Sequence, residues 1–138
     1  VGGKCIVFVP LTGVLEMLKK KLAQKYKVAI VNGAVSLNER SAIFREFQDG
    51  QDIEILLAHP ATMAHGLTLT SAKAIIWYGP ITSNEQYTQA NARTERIGKK
   101  HSTSVIHIAA TDLERRMFER LKNKQKLQGI LLDILGDK

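Results

Sequence analysis

The chain has 138 residues, 44% hydrophobic and 24% charged, which is enough to bury the core of one domain or of one lobe of a larger enzyme. No apolar run approaches the roughly 20 residues that span a bilayer, and the single cysteine, Cys5, excludes an intramolecular disulfide framework. Lys and Arg exceed Asp and Glu by 20 to 13, giving a formal charge of +7. This excess favours a polyanionic partner such as nucleic acid, nucleotide phosphates or an anionic membrane. A basic surface that serves solubility alone explains the charge equally well.

The N-terminus enters an apolar run almost at once. It reads Val-Gly-Gly-Lys-Cys-Ile, with no initiator Met and no signal peptide. We therefore expect a fragment of a longer chain, and the lone cysteine fits a reducing, cytoplasmic compartment. Such a fragment can carry half of a site whose other half lies elsewhere in the protein.

Five short runs are nearly continuous in apolar residues, which is typical of strands buried on both faces of a parallel sheet. In chain order they are Lys4–Val9, Val28–Val31, Ile53–Ala58, Ala74–Tyr78 and Ser104–Ala109.

Helical patterns separate these runs. The first has an apolar face made by Val14, Leu15, Leu18 and Leu22, and the second, marked by Leu37, Ile43, Phe44 and Phe47, closes at Asp49-Gly50. Three helix starts have capping-box spacing: Ser36 with Glu39, Ser83 with Gln86, and Thr111 with Glu114. The last helix is expected to be broken or exposed by the polar stretch Lys122–Lys126 and by Gly129.

Strands that alternate with helices predict an α/β fold, with an open, mainly parallel sheet and helices on both faces in three layers. One such domain accounts for residues 1–138, and the helix from about residue 111 is expected to extend beyond the core. In sheets of this kind ligands bind beyond the carboxyl ends of the strands. The residues in that position are Pro10–Thr12, Asn32-Gly33, His59–Thr70, Gly79–Thr82 and Ala109–Asp112.

The most informative segment is Gln89–Lys100, which reads Gln-Ala-Asn-Ala-Arg-Thr-Glu-Arg-Ile-Gly-Lys-Lys. We expect it to form the last turns of the helix that begins at Ser83, ending at Gly98. Arg93 and Arg96 would then project from nearly the same face, where an anion such as a triphosphate relieves the repulsion between their guanidiniums. The alternative interpretation is a solvated basic helix end, which the helix dipole favours.

The segment His59–Thr70 follows a strong strand pattern. Gly66 allows a phosphate to approach the backbone closely, and Thr68 and Thr70 supply hydroxyls. His59 and His65 have no Cys, Asp or Glu between them, which favours structural roles over a metal site. The sequence also has no Gly-rich loop with Gly-Lys-Ser/Thr and no acidic pair at a strand end for Mg²⁺, so the chain by itself cannot hydrolyse a nucleotide as a P-loop enzyme does.

In order and spacing these segments resemble the C-terminal RecA-like lobe of superfamily-two helicases, specifically the Swi/Snf-like group of DNA translocases. Gln89–Lys99 resembles motif VI, whose family form is Gln-Ala-x-x-Arg-x-x-Arg-x-Gly-Gln, and His59–Thr70 resembles motif V in a phage- or prophage-like form. Lys4–Thr12 resembles motif IV, and Asn32–Arg40 resembles the turn and capped helix that follow it. Three positions depart from the family pattern: Ala64 replaces a frequent Gly, Thr68 the usual Asn, and Lys99 the closing Gln.

The resemblance implies a fold of the P-loop NTPase type and a mechanism shared by two lobes. An N-terminal RecA-like lobe of the same protein would hold ATP and Mg²⁺, and this lobe would offer Arg93 and Arg96 to the γ-phosphate as catalytic arginine fingers. The resemblance also assigns Gln89 and Gly66 to the ATP-binding site. It assigns contacts with the backbone of duplex DNA to Thr12, His59, Thr68, Thr70, Lys99 and Lys100.

Two other functions fit the same residues. The lobe could belong to an RNA or unwinding helicase of the same superfamily. The chain could also be a non-catalytic α/β module that docks nucleic acid or a protein through its basic helices. The form of motif V favours a bacterial or viral source, and a eukaryotic member would be nuclear.

Overall fold

A computed structural model describes residues 3–63, 68–95 and 102–136 of the chain. Its strands are β1 (Lys4–Phe8), β2 (Val28–Val31), β3 (Ile55–Ala58), β4 (Ala72–Tyr78) and β5 (Ser104–Ile108). Its helices are α1 (Thr12–Leu22), α2 (Leu37–Asp49), α3 (Asn84–Ala92) and α4 (Asp112–Gly136), with a 3₁₀ turn at Pro60–Met63. The five strands that the apolar runs predict are all present, and their ends shift by two residues at most.

The strands form one parallel sheet in the order β2-β3-β1-β4-β5. The chain builds one side of β1 first, through β2 and β3, and then crosses to the other side to add β4 and β5. The α/β prediction is therefore confirmed. Because all strands run the same way, residues that follow a strand lie at one edge of the sheet and residues that precede a strand lie at the opposite edge.

Two apolar clusters lie on the two faces of this sheet, which gives the expected three layers. On one face, residues of α1 such as Leu15 pack with Val7, Ile30 and Leu57 from the strands. On the other face, residues of α2, α3 and α4 pack over the strands around Ile6, Phe8, Leu56, Ile75 and Trp77. The first face has α1 as its one described helix, and Tyr78, Ile106 and Ile108 remain partly exposed.

The predicted caps form at three helix starts. The hydroxyl of Ser36 accepts a hydrogen bond from the Glu39 N–H at 3.2 Å, and the hydroxyl of Ser83 accepts from the Gln86 N–H at 3.2 Å. At α4 the Glu114 N–H donates to the Thr111 hydroxyl at 3.1 Å. Between β4 and α3 the turn contains Gly79 with a φ of +97°, a conformation that side chains with a Cβ rarely adopt.

The end of α3 differs from the expectation. The helix stops at Ala92, so Arg93 follows the helix instead of lying within its last turns, and the rest of the expected helix, with Arg96 and Gly98, lies outside the described residues. The Arg93 N–H donates three residues back, to the Ala90 carbonyl, and the hydroxyl of the buried Thr94 donates to the Asn91 carbonyl at 3.2 Å. A hydroxyl that takes a helix carbonyl competes with the regular backbone bond, which explains the early stop.

Of the two outcomes expected for the last helix, a break or exposure, the structure shows exposure: α4 runs without a break through Lys122–Lys126 and Gly129, which are mostly exposed. Phe118 and Leu121 are its buried residues, whereas Leu127, Ile130 and Leu131 are exposed. No helix in the described part of the chain is both long and apolar enough to cross a membrane.

Candidate functional site

Arg93 joins the end of α3 to both ends of the segment between Met63 and Leu69. Its Nε donates a hydrogen bond to the Met63 carbonyl at 2.8 Å, and its own carbonyl accepts one from the Leu69 N–H at 2.7 Å. Met63 and Leu69 are buried, so these bonds lie against the core. The structure therefore brings together the segments that resemble motifs V and VI.

The guanidinium of Arg93 has donors left over. The side chain is half-buried, and the described residues provide no acceptor for either of its terminal nitrogens. A planar cation fixed through Nε, with its two outer nitrogens available, matches the fork geometry that phosphate oxygens accept. Arg93 therefore fits a nucleotide phosphate approaching from outside the chain.

Two residues assigned to DNA contacts lie at the carboxyl edge of the sheet. Thr12 is exposed at the start of α1, just after β1, and His59 follows the neighbouring strand β3. The Nδ1 of His59 accepts from the Ala61 N–H at 3.1 Å, so the neutral ring carries its proton on Nε2. His59 therefore shapes its own turn and keeps one outward donor.

Thr70 lies at the opposite edge, which corrects the expectation that the DNA-contacting residues follow the strands together. It precedes β4, and its hydroxyl accepts a hydrogen bond from Gln48 Nε2 at 2.9 Å near the end of α2. Gln48 Oε1 also accepts from the Ser71 N–H and hydroxyl, both at 3.0 Å. In the crossover between β3 and β4 the chain returns from the carboxyl edge of the sheet to the amino edge. Thr70 is therefore separated from Thr12 and His59. Thr68 is exposed and lies next to Leu69 in the same crossover.

The remaining assigned residues contribute less to the geometry. Gln89 Nε2 donates to Glu85 Oε1 at 3.3 Å, one turn back on α3, on an exposed part of the helix. Gly66, Arg96, Lys99 and Lys100 lie outside the described residues. Within the described ranges no group of three His, Cys, Asp or Glu side chains could hold a metal ion.

A row of rings beside this site escaped the sequence analysis. Ring centroids are 4.8 Å apart for Phe8 and Trp77, 5.0 Å for Trp77 and Tyr87, and 5.9 Å for Tyr87 and His107. His107 then stacks on Phe118 at 4.2 Å, with 12° between the ring planes. Side chains alternate between the two faces of the sheet along β5, and the pairing of Trp77 with His107 places both side chains on the same face. The sequence does not show this pairing of β4 with β5.

A hydrogen bond of 2.8 Å joins the Tyr87 hydroxyl to His107 Nε2. Burial lowers the pKa of His107 below 6.5, and the charge of Lys122 lowers this pKa further. Burial also raises the pKa of Tyr87 above 10. Near neutral pH the phenol is therefore the donor and the neutral imidazole the acceptor, with the imidazole proton on Nδ1.

A family of known domains matches this fold and these motifs. The family described as "Helicase conserved C-terminal domain" matches residues 1–98, which is more than half of the chain. The chain belongs to this family and is the C-terminal RecA-like lobe of a superfamily-two helicase or ATPase.

The curated relatives fall into two groups. Over 133 residues the chain is 25% identical to "Chromatin-remodeling ATPase INO80" of Candida albicans, a match that covers 95% of the chain and 10% of the relative. Over 106 residues it is 34% identical to "DEAD-box ATP-dependent RNA helicase 9, mitochondrial" of Arabidopsis thaliana, covering 77% of the chain and 17% of the relative. The chain thus spans less than a fifth of each relative.

Solved structures from both groups share the fold. The C-terminal part of the Fun30 ATPase domain superposes with a TM-score of 0.75 at 23% identity, covering 85% of this chain and 38% of that one. The C-terminal domain of the DEAD-box protein Dbp5 superposes with a TM-score of 0.74 at 19% identity, covering 88% of this chain and 69% of that one.

Proposed function

We propose that the chain is the second motor lobe of an ATP-dependent translocase that moves on duplex DNA. Residues 1–138 belong to this lobe, and an N-terminal RecA-like lobe of the same protein binds ATP and Mg²⁺. The observation that carries the proposal is the fixation of Arg93 through Nε to Met63, which leaves its terminal nitrogens without an acceptor among the described residues.

Arg93 and Arg96 act as arginine fingers in this proposal. Bound ATP with Mg²⁺ supplies the phosphoryl group that is transferred to water. The guanidinium of Arg93 is held in place before the nucleotide arrives, so little reorganisation is needed when negative charge develops on the phosphate oxygens. An arginine finger of this kind contributes about 10³–10⁵-fold to kcat.

The same arginine links hydrolysis to the nucleic acid. Its carbonyl accepts from Leu69, next to Thr68, so a shift of α3 against the nucleotide also shifts the crossover segment. In this proposal the DNA backbone is contacted by Thr68 and Thr70 of the crossover and by Thr12 and His59 at the carboxyl edge of the sheet. Lys99 and Lys100, which lie outside the described residues, are proposed to add phosphate contacts. Contacts of this type bind phosphates without reading bases.

We propose duplex DNA rather than RNA as the nucleic acid, because the two groups of relatives match different fractions of the chain. The matched relative named as a chromatin-remodelling ATPase covers 95% of the chain, whereas the relative named as an RNA helicase covers 77%. The higher identity of the shorter match favours an RNA helicase lobe as the second candidate.

A comparison of ATPase stimulation separates these candidates. In the full-length protein that contains the chain, we expect duplex DNA to raise Mg²⁺-dependent ATP turnover at least about tenfold, and single-stranded RNA of equal length to raise it little. The control is the same duplex at 0.5 M salt, where loss of phosphate contacts should abolish the stimulation. Stimulation by RNA alone would contradict the assignment to duplex DNA.

The finger role is tested by Arg93→Ala and Arg96→Ala in the full-length protein. We expect each substitution to lower kcat by about 10²-fold or more while ATP binding is largely retained. Arg45→Ala is the matched control, since Arg45 is exposed on α2 and its removal should leave turnover unchanged. If both finger variants changed nucleic-acid binding but not turnover, the chain would be a docking module.

A further inference from the structure

The row of rings described above crosses five elements, beginning with Phe8 of β1, and it includes α3, which ends just before Arg93. Trp77 belongs to β4, Tyr87 to α3, His107 to β5 and Phe118 to α4. We infer that the hydrogen bond between Tyr87 and His107 is a joint that positions α3, and with it Arg93, relative to the sheet and α4. The inference rests on the proposed function of Arg93.

The joint is one of two anchors that hold α3. Among the described residues, two side-chain hydrogen bonds tie α3 to the sheet: Tyr87 to His107 at 2.8 Å, and Asn91 to Trp77 Nε1 at 2.9 Å. Tyr87 and Asn91 are four residues apart and therefore share one face of the helix. Arg93 follows Asn91 by two residues, so these anchors act on its position together with its own bonds to Met63 and Leu69.

The position of the His107 ring depends in turn on α4. Phe118 stacks on this ring nearly in parallel, and the buried Leu121 packs one turn further along. A displacement of α4 therefore moves the acceptor of the Tyr87 hydroxyl. This arrangement makes the packing of α4 a determinant of where α3 ends.

Packing alone leaves the joint room to move. A cavity of about 380 Å³ borders Tyr87 and His107 and is also lined by Thr88, Glu95 and Lys122. The hydroxyl of Thr88 is buried and has no hydrogen-bond partner among the described residues. Because this cavity lies against one side of the Tyr87 and His107 rings, packing does not fix the rings completely. The hydrogen bond between them therefore contributes to holding their relative position.

Tyr87 and His107 are positioning residues in this inference, because they act on Arg93 through α3. A guanidinium that is slightly misplaced loses more in the transition state, where charge develops, than in the complex with ATP. Weakening the joint should therefore lower kcat and leave the KM for ATP nearly unchanged.

The first test uses Tyr87→Phe in the full-length protein, which removes the hydroxyl and keeps the ring. We expect kcat for nucleic-acid-stimulated ATP hydrolysis to fall about three- to tenfold, with the KM for ATP changed by less than about twofold. Tyr26→Phe is the matched control, because Tyr26 is exposed and lies away from the row of rings. An unchanged kcat for Tyr87→Phe would overturn the inference.

Phe118→Leu approaches the joint from the other side and changes no residue of α3. We expect it to lower kcat in the same direction as Tyr87→Phe, with the KM for ATP again retained. The circular dichroism spectrum of the 138-residue chain carrying Phe118→Leu shows whether this lobe is folded. Normal turnover in Phe118→Leu would contradict the link between α4 and Arg93.

A spectroscopic test is independent of ATP hydrolysis. In the 138-residue chain, the Nε–H proton of Arg93 donates to Met63 and should exchange slowly with water, and its NMR signal can be identified by its loss in Arg93→Lys. We expect Tyr87→Phe to shift this signal and speed its exchange at least about threefold, whereas Tyr26→Phe should not. An unchanged signal would refute the joint even if Arg93→Ala abolished turnover. A shifted signal together with normal turnover of Arg93→Ala would instead refute the proposed function.

Discussion

Buried polar side chains around α3 show how individual residues hold the candidate site. Trp77 is fully buried, and its indole N–H donates to Asn91 Oδ1, which belongs to a residue 9% exposed. An indole N–H has no other way to be satisfied in an apolar cluster. Asn91 thus stabilises the core and fixes the last turn of α3 at once.

Replacement of Asn91 should therefore be costly. We expect Asn91→Ala to lower the free energy of unfolding by about 1–3 kcal/mol, because the buried indole N–H loses its acceptor. Asn123→Ala is the control, since Asn123 is exposed on α4 and its loss should change stability by less than about 0.5 kcal/mol. Urea unfolding followed by far-ultraviolet circular dichroism gives both values, and equal midpoints would contradict the structural role of Asn91.

At the scale of single elements, local chemistry was sufficient to predict most of the fold. The apolar runs locate all five strands, and the hydroxyls of Ser36, Ser83 and Thr111 mark three helix starts. These signals depend on neighbours a few residues apart, so the sequence carries them directly. The order of the strands depends on long-range pairing, which the sequence does not show.

Parts of the candidate site could not be predicted, because they depend on tertiary contacts. The helix signal continues past Ala92, but the buried Thr94 and the bonds of Arg93 to Met63 and Leu69 end α3 there. The sequence predicts that His59 and Thr70, which belong to the segment resembling motif V, lie together at the carboxyl edge of the sheet. In the structure Thr70 instead bonds to Gln48 at the amino edge. Each of these contacts joins residues more than 20 positions apart, except that of Thr94.

At the scale of the whole molecule, the proposed function divides the hydrolytic centre between this chain, which would supply Arg93, and another lobe. The described residues contain no cluster of ligands for a metal ion, and the sequence has no phosphate-binding loop. The formal charge of +7 nonetheless provides attraction for a polyanion. We therefore expect the chain alone to bind nucleic acid but not to hydrolyse ATP.

The 138-residue chain alone tests this separation. We expect no appreciable Mg²⁺-dependent ATPase activity, because the proposed function assigns the groups that hold ATP and Mg²⁺ to the other lobe. We expect weak DNA binding whose logarithm falls with the logarithm of salt concentration, by about 0.9 for each phosphate contacted. Malachite-green phosphate release and fluorescence anisotropy with a labelled duplex measure the two properties. Robust ATP hydrolysis by the chain alone would contradict the two-lobe mechanism.

Trp77 is the single tryptophan of the sequence, and it lies in the ring row between Phe8 and Tyr87. Its indole is shielded from water by β1 and α3, so its emission should be blue-shifted and should receive excitation energy from Tyr87. If α3 lifts from the sheet, this emission should move to longer wavelength. The chain thus contains its own optical reporter for the helix that places Arg93, and no label has to be attached.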